Sequence, residues 1–461
     1  MKSLITLGKS RLALGTAVGV YGLALQLLVQ LLSVPILTHS WGLAGYGAWV
    51  LLFSVPSLLA MADLGLTTAG ANAMTAAVAY GDQARAARIM MVLRLITVTA
   101  GVGLLGLAAL AVLVLFPRAL DFGSAMTRDQ AVWTALLLGL YGLMSLINGV
   151  TLAAFRAADA FASSGFMFQT IILVEAVTAL GVALLGGSPA QVALAYLSAR
   201  LVGSVVLSLV LRRHAPWLRQ ASWRIDQSEL SALIRPALAA MVIPGAQAVT
   251  IQGSVMVIGA IGGPVAIPAF SVVRTLSRTA LQFAFRFNIA SMPRYTVFVA
   301  QNDELRASQL VVLNLGVMVA MVVPAAFALL LLGQPFIRLW TGGLIQPSMA
   351  LLSVMVAAML ANAVWGPLSN LLLAVNRHAS FTYFFLIASI TSVAVGAVLV
   401  GRMGALGMAW AMLGLEIAMI FQVWVAARRQ GMISRTKLRG AARALIAELR
   451  ARRTSLNDPN T

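Results

Sequence analysis

The chain contains no cysteine, which excludes disulfides, thiolate metal sites and cysteine nucleophiles. Histidine is scarce too: His39, His214 and His378 are too far apart in sequence to form a metal-binding pair of the usual spacing. No glycine-rich loop of the Walker type occurs, so ATP hydrolysis is not expected of this chain. No segment between apolar runs is long enough to form a catalytic domain. These absences argue against an enzyme, and no cofactor or metal is implied. Acidic side chains are few as well, 13 against 32 lysines and arginines, so buried cations have few partners within the chain.

What the chain has in abundance is apolar surface: 61% of residues are hydrophobic, 10% are charged, and the mean hydropathy is +0.94. Runs of about 20 apolar residues, enough to cross a bilayer as helices, recur from end to end. They predict an all-α polytopic membrane protein of twelve transmembrane helices. The first six spans fall at 12–38, 43–64, 89–115, 131–154, 166–186 and 190–211; the last six at 233–260, 265–290, 308–332, 349–374, 381–401 and 404–427. No small-residue cleavage site follows the first span, which therefore reads as a retained helix and not a signal peptide.

Loop charge orients the spans, because lysine and arginine accumulate on the cytoplasmic side. Twenty-three of them fall on one side and four (Arg118, Arg128, Arg338, Arg402) on the other, which places both termini in the cytoplasm. The net charge of +19 is then mainly a topology signal with attraction to anionic membrane lipid, and nucleic acid is not an expected partner.

The polar stretch Arg212 to Leu230 divides the chain into six spans before and six after. Sliding the sequence by 221 positions superposes Gln26 on Gln247, Ser33 on Ser254, Gly42 on Gly263, Asp82 on Asp303, Arg85 on Arg306 and Arg156 on Arg377. Six spans per repeat make the repeats parallel, which predicts two six-helix bundles around a central cleft, a transporter architecture. The expected organisation is 1–211 as the N-terminal bundle, 212–232 as a cytoplasmic linker, 233–427 as the C-terminal bundle and 428–461 as a basic amphipathic tail. Leu438, Ala442, Leu445 and Leu449 align on one face of that tail, and Arg439, Arg443 and Arg450 cluster on another, the pattern of a helix lying on the cytoplasmic leaflet.

Charge is densest in the eighth span, which carries Arg274, Arg278 and Arg286. An arginine at the bilayer centre costs about 2.5–3.5 kcal/mol by insertion scales, so it usually faces a polar interior and marks a substrate path. The repeat sets Arg274 and Arg278 opposite Phe53 and Ser57 at mid-span, and Arg286 opposite Gly65, where it could also snorkel to the headgroups. Guanidinium forks bind phosphoryl oxygens bidentately and stay charged when desolvated, so phosphate or diphosphate is the substrate chemistry that fits. The alternative is that these arginines pair with carboxylates. Gln26 and Gln30 on the first span and Gln247 and Gln252 on the seventh would give each lead helix a polar stripe, for a cavity wall or for helix–helix hydrogen bonds. Asp63, Glu175 and Glu416 are the candidates for carrying a coupling proton or Na+; the alternative for Asp63 is an exposed helix end, and for the deeper Glu175 and Glu416 neutralisation of a buried arginine, while Arg200 lies in the sixth span and Arg94 reads as an interfacial anchor.

The stretch SWGLAGYGAWVLLFSVPSLLAMADLGLTTAGANAM, followed by GDQARAAR, resembles the first two spans of bacterial polysaccharide flippases, with Gly42, Tyr46 and Gly47 before span two and Asp63 to Leu66 at its end. That family belongs to a superfamily which also holds multidrug exporters and lipid II flippases. The resemblance implies a flippase of the inner membrane, moving an undecaprenyl-diphosphate-linked glycan from the cytoplasmic to the periplasmic leaflet by alternating access. It implies coupling to an ion, and other polysaccharide-assembly proteins as partners. A cation-coupled multidrug exporter is the alternative, though such exporters typically carry an acidic residue in a lead helix, and spans one and seven have none. Lipid II flippases commonly have two further spans, which are not found after Trp424. A polysaccharide polymerase or ligase would carry a large periplasmic loop, whereas the longest here runs only from Phe116 to Gln130.

Overall fold

Apolar runs without β-branched alternation should fold as helices, and in the computed structural model every regular element among the described residues is helical. The structure describes residues 2–62, 64–114, 122–220, 242–301, 303–374, 379–430, 432–433 and 436–444. The helices are α1 (Lys2–Leu52), α2 (Ser54–Ala62), α3 (Leu64–Ala79), α4 (Gln83–Val114), α5 (Arg128–Ala157), α6 (Phe161–Leu184), α7 (Pro189–His214) and α8 (Val242–Gly262). They continue with α9 (Ile267–Ala290), α10 (Met292–Ala300), α11 (Glu304–Trp340), α12 (Met349–Ala374), α13 (Ala379–Met403), α14 (Ala405–Arg429) and the tail helix α15 over 436–444.

Ten of the stretches are long and apolar enough to cross a bilayer, so this is a multi-pass membrane protein. The first of them, Ala17–Leu59, covers most of the first two expected spans, and α9, which carries the three arginines, corresponds to the eighth. Asp63, the linker residues 221–232, the start of the seventh expected span at 233–241 and the tail residues 445–461 lie outside the described residues.

The repeat is visible in backbone detail. Gly42 breaks α1 with φ 69° and ψ −179°, and Gly263, 221 residues on, ends α8 with φ 74° and ψ 174°. Essentially only glycine adopts that region, because a Cβ there would clash with the backbone. The second matched pair caps helices. Asp82 Oδ1 accepts from the Arg85 amide at 2.8 Å, and Asp303 Oδ1 from the Arg306 amide at 3.0 Å, satisfying an amide that a helix start leaves unpaired.

Two helices run further than apolar content suggests. The second span continues through α3 to Ala79, because Ala71, Met74 and Ala77 recur on one face and pack with Ile89, Leu93 and Phe155 in a buried cluster. The eighth continues past Ala290 through Ser291 into α10. There the Ser291 hydroxyl donates to Asn314 Oδ1 (2.9 Å) and Asn314 Nδ2 donates to the Tyr295 hydroxyl (2.8 Å), tying α10 to α11. Tyr295 is fully buried.

The chain forms two compact units, Met1–Pro268 with Trp340–Leu344, and Ala269–Leu339 with Ile345–Thr461. In the first unit, α1 approaches the end of α8 closely. A Cβ on Gly47 would lie 1.8 Å from the Pro264 carbonyl oxygen, and one on Gly259 3.1 Å from Leu51. Since the obstacle at Gly47 is backbone, Gly47→Ala should cost about 1–3 kcal/mol, as overpacking does. Thermal unfolding of the detergent-solubilised protein checks this; an unchanged midpoint would show that the approach is not tight.

Candidate functional site

Helix α9 carries the three arginines, in the second unit, where it is held by a close contact with a glycine and by buried apolar residues at its start. Gly366 of α12 accepts the Phe285 ring so closely that an added Cβ would meet it at 2.6 Å. Upstream, the buried Phe270 and Val273 anchor the start of the helix. Counted from Ile267 at about 1.5 Å per residue, Arg274 lies roughly 10 Å, Arg278 roughly 17 Å and Arg286 roughly 29 Å along the axis. With Ile267 at one face of a bilayer core of about 30 Å, Arg278 would stand near its middle and Arg286 near the other face.

The three differ in setting. Arg274 is buried, 8% exposed, with its guanidinium 5.3 Å from the Phe270 ring centroid, a cation–π contact that offsets part of its desolvation. Arg278 is exposed. It interacts electrostatically with Glu416 of α14, which stands beyond direct ion-pair distance. Glu416 is half-buried, and its Oε2 accepts from Asn362 Nδ2 at 2.9 Å and Trp365 Nε1 at 2.7 Å, both on α12. These two neutral donors hold that carboxyl group in place. Arg286 is exposed.

The glutamines belong to the first unit. Gln26 and Gln247 are exposed, and Gln30 and Gln252 half-buried. Gln252 lies in a π turn over Val249–Gly253 within α8. Such a turn inserts an extra residue and re-aims the side chains around it. Nothing in the apolar pattern signalled it.

Glu175 is locked. It is 1% exposed on α6, and its Oε2 accepts from Arg200 Nη2 of α7 at 2.6 Å and from the Tyr141 hydroxyl of α5 at 3.2 Å. Arg200 also donates to that hydroxyl at 2.7 Å, and its guanidinium lies 4.7 Å from the Tyr141 ring centroid. Trp49, Phe53 and Tyr196 surround the group with aromatic rings. Carboxylate and guanidinium neutralise each other here inside an apolar shell. Arg94 is half-buried on α4, and among the described residues no cluster of histidines and carboxylates could hold a metal ion.

The sequence reading missed Asn362, Trp365 and Tyr141. An asparagine inside an apolar span was the available signal for the first; the others are aromatic residues that composition alone would assign to packing.

No family model and no curated sequence matches the chain, and its likeness to known proteins is one of structure. An inward-facing multidrug resistance MATE family transporter of the MOP superfamily superposes with a TM-score of 0.70 at 14% identity, over 87% of this chain and 97% of that one. The lipid II flippase MurJ in an inward closed conformation gives 0.67 at 11% identity, over 97% and 94%. A MOP superfamily transporter from Pyrococcus furiosus, described as having a binding pocket of reverse polarity that suggests a different function, gives 0.59 at 14% identity, over 94% and 95%. The chain has the fold of these MATE transporters and of this flippase.

Proposed function

We propose that the protein is a flippase that moves an undecaprenyl-diphosphate-linked glycan from the cytoplasmic to the periplasmic leaflet for export of a surface polysaccharide. The observation that carries the reading is the polarity of α9: Arg274 and Arg278 lie within the eighth expected span, and among the described residues the carboxylate that acts on Arg278, Glu416, is hydrogen-bonded to Asn362 and Trp365. An anion can compete for such a guanidinium, and a diphosphate presents oxygens on both phosphorus atoms to the fork.

Gln26 and Gln247, with Gln30 and Gln252 beside them, would contact headgroup or sugar, and the lipid tail would stay in the bilayer. Alternating access would come from rocking of 1–211 against 233–427, with both termini on the cytoplasmic side of the inner membrane. Each negative charge moved outward gains about 2.3 kcal/mol per 100 mV of an inside-negative potential, so an anionic cargo can be driven without ATP.

Glu416 is the counter-ion of Arg278 when the substrate is absent, and it is the candidate for the proton- or Na+-linked step. Glu416→Gln should therefore tighten binding of undecaprenyl diphosphate to the purified protein while slowing turnover in proteoliposomes, because the empty carrier must then return with Arg278 uncompensated. Weakened binding, as for loss of an arginine, would overturn this role. The structural likeness to MATE transporters favours the second reading, a cation-coupled multidrug exporter. Efflux of cationic dyes from cells expressing the chain, absent for the flippase, separates the two.

A further inference from the structure

The tail helix α15 is seated against the second unit. Lys437 Nζ forms an ion pair with Glu304 at 2.7 Å, which fixes the start of α15 to the start of α11. Beneath it lies a cavity of about 360 Å³ walled by Val311 and Leu315 of α11, Leu368 of α12, Trp424 of α14, and Leu438 and Ala442 of α15. Its lining is apolar except for Arg439. That volume falls within the range of about 300–1,000 Å³ usual for small-molecule sites.

Depth and charge identify the occupant. Val311 lies seven residues inside the Glu304 end of α11, Leu368 six inside the Ala374 end of α12, and Trp424 five inside the Arg429 end of α14. At about 1.5 Å per residue these walls are roughly 8–10 Å below the helix ends, and Leu315 roughly 16 Å below. The cavity is thus at the level of acyl chains, with its basic rim at the level of headgroups. Arg439 supplies a positive charge at that rim, and the exposed Arg443 lies one turn further along α15. A free phosphate would leave the apolar walls uncovered, and an uncharged chain would leave the arginines unmatched.

We infer that the cavity between α15 and the helices α11, α12 and α14 is a binding site for one anionic phospholipid of the adjacent leaflet, its acyl chain against Leu315, Leu368 and Trp424 and its phosphate on Arg439. The tail is then held by two links, the Lys437–Glu304 pair and a lipid that touches both α15 and the bundle. This site is separate from the proposed flippase site on α9, and its test uses no transported substrate.

The full-length protein would be reconstituted in vesicles containing phosphatidylglycerol or phosphatidylcholine with brominated acyl chains, at equal mole fraction. The fluorescence of Trp424 is read as the difference between the native protein and Trp424→Phe. Brominated phosphatidylglycerol should quench that component several-fold more strongly than brominated phosphatidylcholine. Arg439→Glu, at an exposed position, should reduce quenching by phosphatidylglycerol to the phosphatidylcholine level, and Ala442→Phe, which fills the cavity, should reduce quenching by both. Equal quenching by the two lipids in the native protein would show contact with bulk acyl chains only and overturn the site, as would a phosphatidylglycerol preference that survives Arg439→Glu.

Discussion

Replacement of Arg274 and Arg278 together by alanine is expected to abolish complementation of a flippase-deficient strain at normal protein levels, and each single replacement should reduce it severely. A hydrogen bond to a charged group contributes about 1.5–3 kcal/mol, and a forked contact provides two, so each arginine accounts for at least a tenfold effect on substrate binding. The two sites should not behave alike. Arg274 is buried over Phe270, so its truncation also removes packing and should lower thermal stability; Arg278 is exposed, and its truncation should spare stability and act on transport. Arg278→Lys keeps the charge but loses the fork and should retain only part of the activity. Full complementation by the double variant would sink the diphosphate assignment.

The second large effect is expected at the Glu175–Arg200 pair. Glu175→Ala leaves a guanidinium buried among Tyr141, Phe168 and the neighbouring rings with no opposite charge, and breaking a buried pair in this way costs about 3–5 kcal/mol. Removing both partners should cost much less, since an apolar pair of similar size fits an apolar shell. The thermal midpoint should therefore drop sharply for Glu175→Ala and largely recover in Glu175→Leu with Arg200→Met. Transport separates two roles for the carboxylate: if the double variant still transports, the pair only holds α5, α6 and α7 together. A stable but inactive double variant would return Glu175 to the ion-coupling step.

The membrane helices were legible because burial in lipid leaves few options for the backbone, which must satisfy its own hydrogen bonds. The span at 349–374 coincides with α12, where an apolar run has polar residues at both ends. The extensions through α3 and α10 were not legible, since Thr67 to Ala79 is small and mildly polar and Ser291-Met292-Pro293 looks like a break. Pro293 instead sits in the first turn of α10, where its missing amide costs nothing. At the site, the type of each side chain could be read but its partner could not. Glu175 and Arg200 are 25 residues apart on adjacent helices, and Glu416 is 51 and 54 from Trp365 and Asn362; pairing them requires relative helix depth and rotation to within a turn, which hydropathy does not define.

Gly263 ends α8 at φ 74° and ψ 174°, angles that a residue with a Cβ cannot hold without clashing with its own backbone. Gly42, 221 residues earlier, stands at φ 69° and ψ −179°. The same backbone requirement therefore bars side chains at two matched corners of the chain, and an alanine at either should disturb the turn there without removing a single side-chain contact.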